Sequence, residues 1–207
     1  MGFYDSRIVP RLIDWGCGMG TITEQREGIV PRARGQVLEL GIGSGRNLAL
    51  YDAEAVDLVW GVDPSPELYR MASCRAADLP FPVRFFVRRA DESGLPLADG
   101  SVDTVVVTYA LCTIPDPVAA LEEARRTLAP GGELLFAEHG RSPDPAVRRW
   151  QERATPVWRR VTGGCRLDRD PLALLAAAGF RVQKIDTGYL SGWKPAAWHY
   201  LGVAVAA

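Results

Sequence analysis

The chain has 207 residues, enough for one domain around a single sizeable core, and carries 24 basic against 25 acidic side chains. That balance gives no electrostatic case for a nucleic-acid partner, and no apolar run is long enough to span a bilayer. Cys17, Cys74, Cys112 and Cys165 stand far apart, with no Cys-x-x-Cys and no histidine pairing, a spacing that argues against a zinc or other metal site and fits a reducing cytoplasm.

Residues 1–35 precede the first buried strand and read as a helical cap on a core of 36–207, within one domain. Ile8, Leu12 and Trp15 fall on one helical face. Asp5 and Arg7 interrupt the early apolar pairs, so a signal-peptide core is lacking. The segment Asp14-Trp15-Gly16-Cys17-Gly18-Met19-Gly20 imitates a nucleotide-binding turn. No buried strand leads into it and no strand ending in a carboxylate follows at the right distance, so it is set aside.

The next such turn meets both conditions. Val37-Leu38-Glu39-Leu40 is apolar around one acid and runs into Gly41-Ile42-Gly43-Ser44-Gly45, with a helix expected over 45–51. A second strand, 56–62, leads to Asp63. A dinucleotide fingerprint requires Gly-x-Gly-x-x-Gly to seat a pyrophosphate, whereas here the third glycine comes one position early and Arg46 stands in its place. S-adenosylmethionine carries no phosphate. Its methionine tail can lie along the turn, where a Cβ at Gly41 or Gly43 would obstruct it. Glu39 can meet the tail's ammonium directly or through water, and Asp63 can accept strong hydrogen bonds from both ribose hydroxyls.

Further elements follow in alternation: helix 66–77, strand 83–88, strand 102–108, helix 117–128 and strand 133–138. Asp116 and Pro117 mark a helix start, and Pro130-Gly131-Gly132 a stop. Residues 145–161 read as a helix with Trp150, Ala154, Val157 and Val161 on one side, kinked or interrupted at Pro156. A helix at 170–178 and an antiparallel pair of strands, 181–187 and 197–205, complete the chain. Such alternation favours a parallel sheet with helices on both faces.

Together, the Glu39–Gly45 turn, Asp63, Ala90-Asp91-Glu92 and Pro130-Gly131-Gly132 resemble the class I S-adenosylmethionine-dependent methyltransferases from about Val37 onward. The resemblance implies a Rossmann-like α/β fold: a seven-stranded, mostly parallel sheet with an antiparallel C-terminal strand. Leu111-Cys112-Thr113-Ile114, Glu138-His139, Gly164-Cys165-Arg166-Leu167 and His199-Tyr200-Leu201-Gly202 resemble the methyltransferase-like group that includes thiol S-methyltransferases. Leu95 to Asp103 resembles quinone C-methyltransferases, with mild departures at Gly94 and Leu97.

Ligands of open α/β sheets bind beyond the strands' carboxyl ends. Gly41, Ile42, Gly43 and Gly45, then Asp63 and Pro64, then Asp91, Glu92 and Tyr109 follow such ends and are the expected cofactor contacts. Asp91 can receive the adenine amino group, and the next backbone N–H a ring nitrogen. Asp103 begins its strand and belongs to the opposite rim. His139 is the candidate acid–base group, and Glu138 either orients it or faces the cofactor cation. Cys112, Trp150, Trp158 and Cys165 are expected to line the acceptor side, with Tyr189, Trp193, Trp198 and Tyr200 as further aromatic walls.

A small apolar acceptor is expected, first a thiol. A phospholipid amine or a quinone precursor is the alternative, and a non-catalytic cofactor-binding module is the competing class. Eight arginines against four acids between 141 and 170 leave peripheral contact with a membrane or an anionic substrate open. Oligomeric state is not indicated.

Overall fold

The computed structural model describes Arg11, Asp14, 16–92 and 94–207. Its strands are β1 (Gly35–Leu40), β2 (Val56–Val62), β3 (Val83–Phe86), β4 (Val102–Thr108), β5 (Leu128–His139), β6 (Phe180–Tyr189) and β7 (Trp198–Ala206). They form one seven-stranded sheet in the order β3-β2-β1-β4-β5-β7-β6. Strands β1 to β5 pair in parallel, and β7 runs antiparallel to both β5 and β6. Alternate residues of the central strands enter two cores. Leu38, Leu40, Val105, Val107, Leu134 and Phe136 pack on one face, and Val37, Val59, Val106, Leu135 and Ala137 on the other. This two-sided burial explains the near-continuous apolar runs of these strands.

The helices are α1 (Gly20–Glu27), α2 (Pro66–Ala76), α3 (Pro117–Thr127), α4 (Pro145–Val161), α5 (Pro171–Ala177) and α6 (Lys194–Ala197). Four of them start the same way. Ser65, Asp116, Asp144 and Asp170 each accept a hydrogen bond from a first-turn backbone N–H, and a proline follows, where its missing N–H costs nothing.

Three expectations change. The helix over 45–51 is a turn and a short 3-10 helix, Leu48–Leu50, because Asn47 turns its side chain inward. Helix α4 is not interrupted at Pro156 but continues to Val161. Its apolar side faces outward: Trp150 is 62% exposed and Val157 65%, while Val147, Gln151 and Thr155 are buried. Gln151 is held inside because its amide bonds Gly140 O, Pro195 O and Ser142 N–H. The helical face proposed for Ile8, Leu12 and Trp15 lies outside the described residues.

The register sets Leu40 level with Val62 on one side and Val107 on the other, so β1, β2 and β4 end on one rim. Strand order reverses between β1 and β4, which opens a crevice there. Asp103 accepts from Gln36 N–H at 2.8 Å at the starting end of β4, away from that rim.

Candidate active site

A cavity of about 620 Å³ opens at the reversal point. The β1 turn (Gly41–Ser44), the β2 end (Asp63–Ser65) and the β4 end (Thr108–Ala110) line it, and Ala90-Asp91 and Gly163-Gly164 complete its walls. Its size suits a nucleoside with a charged tail.

The turn depends on glycine for two separate reasons. Gly41, Gly43 and Gly45 have φ of +71°, +56° and +79°. A Cβ on Gly41 would lie 2.5 Å from Ala110 Cβ, and one on Gly45 2.8 Å from Leu48 Cδ1, so these two glycines serve protein packing. A Cβ on Gly43 meets only Gly41 O, at 3.8 Å. Both Gly41 and Gly43 line the cavity, and of the three glycines only Gly43 would bring a Cβ no closer than 3.8 Å to a protein atom. Gly41→Ala should lower folding stability by about 2–4 kcal/mol through clash and backbone strain, read by urea unfolding. Gly43→Ala should cost only about 1 kcal/mol of stability and act chiefly on cofactor affinity.

Asp63 ties two rim segments together. Its Oδ2 accepts from Gly43 N–H at 3.1 Å and its Oδ1 from Ser65 N–H at 2.8 Å. Each oxygen keeps further acceptor capacity, and Asp63 lines the cavity. Burial raises the Asp63 pKa, partly offset by those two bonds.

Glu39 sits differently from the expectation. It is 2% exposed, lies beneath the turn outside the cavity lining, and accepts from Tyr51 OH at 2.7 Å and Asn47 Nδ2 at 2.9 Å. Burial raises its pKa to about 7. It anchors the turn from below, with Asn47 and Tyr51 bonded to its two oxygens. The cation of this network is Arg26 from α1, which lines the cavity. Arg26 is 6% exposed, donates to Asn47 Oδ1 at 2.8 Å and Thr108 Oγ1 at 2.9 Å, and stacks over the Tyr109 ring at 5.1 Å. Its Nε and the Tyr109 hydroxyl are buried with no partner among the described residues. Tyr109 holds φ +54°, the one positive φ of a non-glycine residue described, a strained geometry typical of ligand clamps.

Asp91 lines the cavity, but its carboxylate is already committed to Arg89, at 2.6 and 2.9 Å, and to Asp116 N–H at 3.0 Å. The Arg89 hydrogen bond holds its pKa low. Pro64 and Ile42 line the cavity; Glu92 does not, and pairs with Arg88 on the surface. The described residues of the set-aside 14–20 segment include no strand. They pack on the true turn instead: Asp14 accepts from Ser44, Arg46 and Arg75, and Cys17 lines the cavity.

A second chamber of about 540 Å³ adjoins the first and shares Cys17, Tyr109 and Thr113 with it. Its walls are largely apolar, and Trp158 and Trp193 pack together there at 5.2 Å. Cys112, His139 and Cys165 line one part of it, as does His199, the register partner of His139. Burial lowers the His199 pKa to about 4, so that ring is neutral near pH 7. Trp150 lies outside the lining, on the exposed face of α4. Tyr189, Trp198 and Tyr200 are also outside the lining and pack among themselves. Glu138 points away from His139. Its Oε1 accepts from Ala110 N–H at 2.7 Å and Leu111 N–H at 3.0 Å, so it shapes the loop carrying Cys112 and lines neither chamber.

Arg26, Asn47 and Thr108 were not legible as site residues, and His199 enters the sequence analysis only within the His199–Gly202 segment. Asn47, two positions past the glycine run, was the nearest thing to a signal.

A parallel sheet with a glycine turn at its reversal point and a carboxylate ending the next strand has the architecture of the α/β methyltransferases. The Methyltransferase domain family matches residues 38–136. Human thiol S-methyltransferase TMT1B is 35% identical over 82% of this chain and 70% of its own length. A phosphatidylethanolamine N-methyltransferase from Cereibacter sphaeroides is 30% identical over 51% of each chain. A solved SAM-dependent methyltransferase from Methanosarcina mazei superposes with a TM-score of 0.63 at 22% identity, over 85% of this chain and 95% of that one. The chain belongs to the S-adenosylmethionine-dependent methyltransferases. It spans 64–70% of the length of the human, rat and mouse thiol S-methyltransferases that it resembles. Among the described residues, no helix is long and apolar enough to cross a membrane.

Proposed function

We propose that this enzyme methylates the sulfur of a small, largely apolar thiol. The observation that carries this reading is the second chamber: an apolar enclosure beside the cofactor cavity, with Cys112, His139 and Cys165 gathered in its wall. The similarity to thiol S-methyltransferase TMT1B supports the same acceptor class.

S-adenosylmethionine supplies an activated methyl on a sulfonium, so the protein's task is alignment and exclusion of water, worth about 7–11 kcal/mol when well executed. Asp63 takes the ribose hydroxyls and Gly43 leaves room for the tail. Arg26, whose Nε has no partner among the described residues, would hold the tail's carboxylate through a charge-assisted bond. Asp91 and the backbone beside it face the adenine end. The Trp158 and Trp193 rings desolvate the acceptor. The thiol's proton leaves where Cys112, His139 and Cys165 converge.

The test is a tritiated-cofactor assay against an alkyl thiol, an aminophospholipid and a phenol. Turnover confined to the thiol supports the reading. Turnover confined to the amine or the phenol overturns it, and binding of S-adenosylhomocysteine without turnover on the panel points to a non-catalytic module.

A further inference from the structure

Three residues that are far apart in sequence meet in the wall of the second chamber. Cys112 lies in the loop after β4, His139 ends β5, and Cys165 follows the two positive-φ glycines Gly163 and Gly164 after α4. Their ligand atoms all lie within 4.8 Å of one another, and His139 Nε2 is 3.3 Å from Cys165 Sγ. The spacing argument against a metal site fails here because the fold assembles the ligands from three loops and strand ends.

The arrangement has the parts of a thiolate–imidazole metal centre. A tetrahedral zinc ion, with bonds of about 2.3 Å to sulfur and 2.0–2.1 Å to nitrogen, holds neighbouring ligand atoms about 3.6–3.8 Å apart. The His139–Cys165 separation of 3.3 Å lies just inside that value, and no pair of the three exceeds 4.8 Å. Each sulfur has a hydrogen-bond donor in reach: Trp158 Nε1–H donates to Cys165 Sγ at 3.4 Å, and the Thr113 hydroxyl lies 3.4 Å from Cys112 Sγ. Such outer contacts orient and tune metal-bound thiolates. The loops are braced against each other. Arg166 N–H donates to Cys112 O at 2.9 Å, and the Arg169 guanidinium binds Leu111 O and Ile114 O. His139 Nδ1 is buried without a partner among the described residues, so no other bond fixes the ring's tautomer. Two soft sulfurs and one imidazole select zinc over calcium or magnesium, and three protein ligands leave the fourth position open.

We infer that Cys112, His139 and Cys165 bind one zinc ion, whose open fourth position faces the apolar chamber and takes the acceptor's sulfur. The ion site stands on the geometry alone; its use by the acceptor rests on the thiol reading above. The acceptor thiol gives up its proton to solvent and its sulfur bonds to zinc. That sulfur's electron pair then forms a bond to the methyl carbon, and the carbon–sulfonium bond breaks with its pair passing to the cofactor sulfur. The products are a neutral methyl thioether, S-adenosylhomocysteine and the released proton. The thioether is a weak ligand and leaves. His139 thereby serves as a ligand and not as a free base.

The experiment uses the intact chain, stripped with chelator and titrated with Co²⁺ and then Zn²⁺. One equivalent of Co²⁺ should produce a sulfur-to-cobalt charge-transfer band and tetrahedral visible bands, and Zn²⁺ should displace it. Cys112→Ser, Cys165→Ser and His139→Gln should each weaken the metal by about 100-fold or more, taking the upper end of outer-contact losses as a floor for a lost ligand. Each variant's affinity for S-adenosylhomocysteine reports that the fold is intact. Cys74→Ser, at an exposed thiol of α2, should change nothing. Absence of the bands in the unaltered chain, or a Cys112–Cys165 disulfide in the purified reduced protein, overturns the metal site. Thiol turnover at full rate in metal-free protein overturns the ion's use by the acceptor and leaves the thiol reading standing. Tight zinc binding without thiol turnover keeps the ion site and overturns the acceptor.

Discussion

Asp63→Ala is expected to weaken S-adenosylhomocysteine binding by about 100-fold or more, because two charge-assisted hydrogen bonds to a ribose contribute about 1.5–3 kcal/mol each. The fold should survive. Asp63 also receives Gly43 N–H and Ser65 N–H, and both donors lie on the cavity rim, where water can replace the carboxylate. The stability loss should therefore stay near about 1–2 kcal/mol. Asp63→Asn retains one acceptor oxygen and should fall between the two. Calorimetric titration gives the affinity, and circular dichroism with urea unfolding gives the fold. An unaltered dissociation constant in a folded alanine variant would remove the ribose assignment, and with it the placing of the nucleoside over the β2 end.

Arg26→Met should be strongly destabilising, costing about 2–4 kcal/mol. It strips donors from buried Asn47 Oδ1 and Thr108 Oγ1 and removes the cation that offsets Glu39. The loss has a pH signature. Burial raises the folded pKa of Glu39 from 4.5 to about 7. A raised carboxyl pKa favours folding while the group is protonated. That contribution is complete below 4.5 and is lost as pH rises through about 7. Arg26 lowers the Glu39 pKa, so without it the upward shift grows and the loss continues to higher pH. The variant's deficit, measured by urea unfolding, should thus be smaller at pH 5 than at pH 8. Cofactor affinity should fall as well, through the tail carboxylate. A deficit that shrinks as pH rises would show that Arg26 and Glu39 are not electrostatically linked. Stability loss with unchanged cofactor affinity would confine Arg26 to a structural role.

These two residues also mark what could be read from the chain and what could not. Asp63 was legible because a parallel strand displays its terminal side chain at a predictable rim, and the spacing from the glycine turn is local. Arg26 was not. It lies on α1, and only the packing of that helix against the β4 end brings its guanidinium to Thr108 and Asn47, 82 and 21 positions away. Glu39 shows the opposite case. Its position in the motif was plain, yet its direction depended on Asn47 and Tyr51 folding back beneath the turn. Trp150 failed because helical periodicity groups apolar residues on one face without saying which face is buried. The polar Gln151 held the inner side by finding three backbone partners.

By itself, the sequence determined the alternation of strands and helices, the glycine turn, the acid at the next strand's end and the nucleoside they imply, since each is a short-range pattern of burial and backbone freedom. Tertiary packing decided the buried Arg26–Asn47–Glu39 network, the outward face of α4 and the meeting of Cys112, His139 and Cys165. Those arrangements join segments whose separation along the chain carries no record of their distance in space.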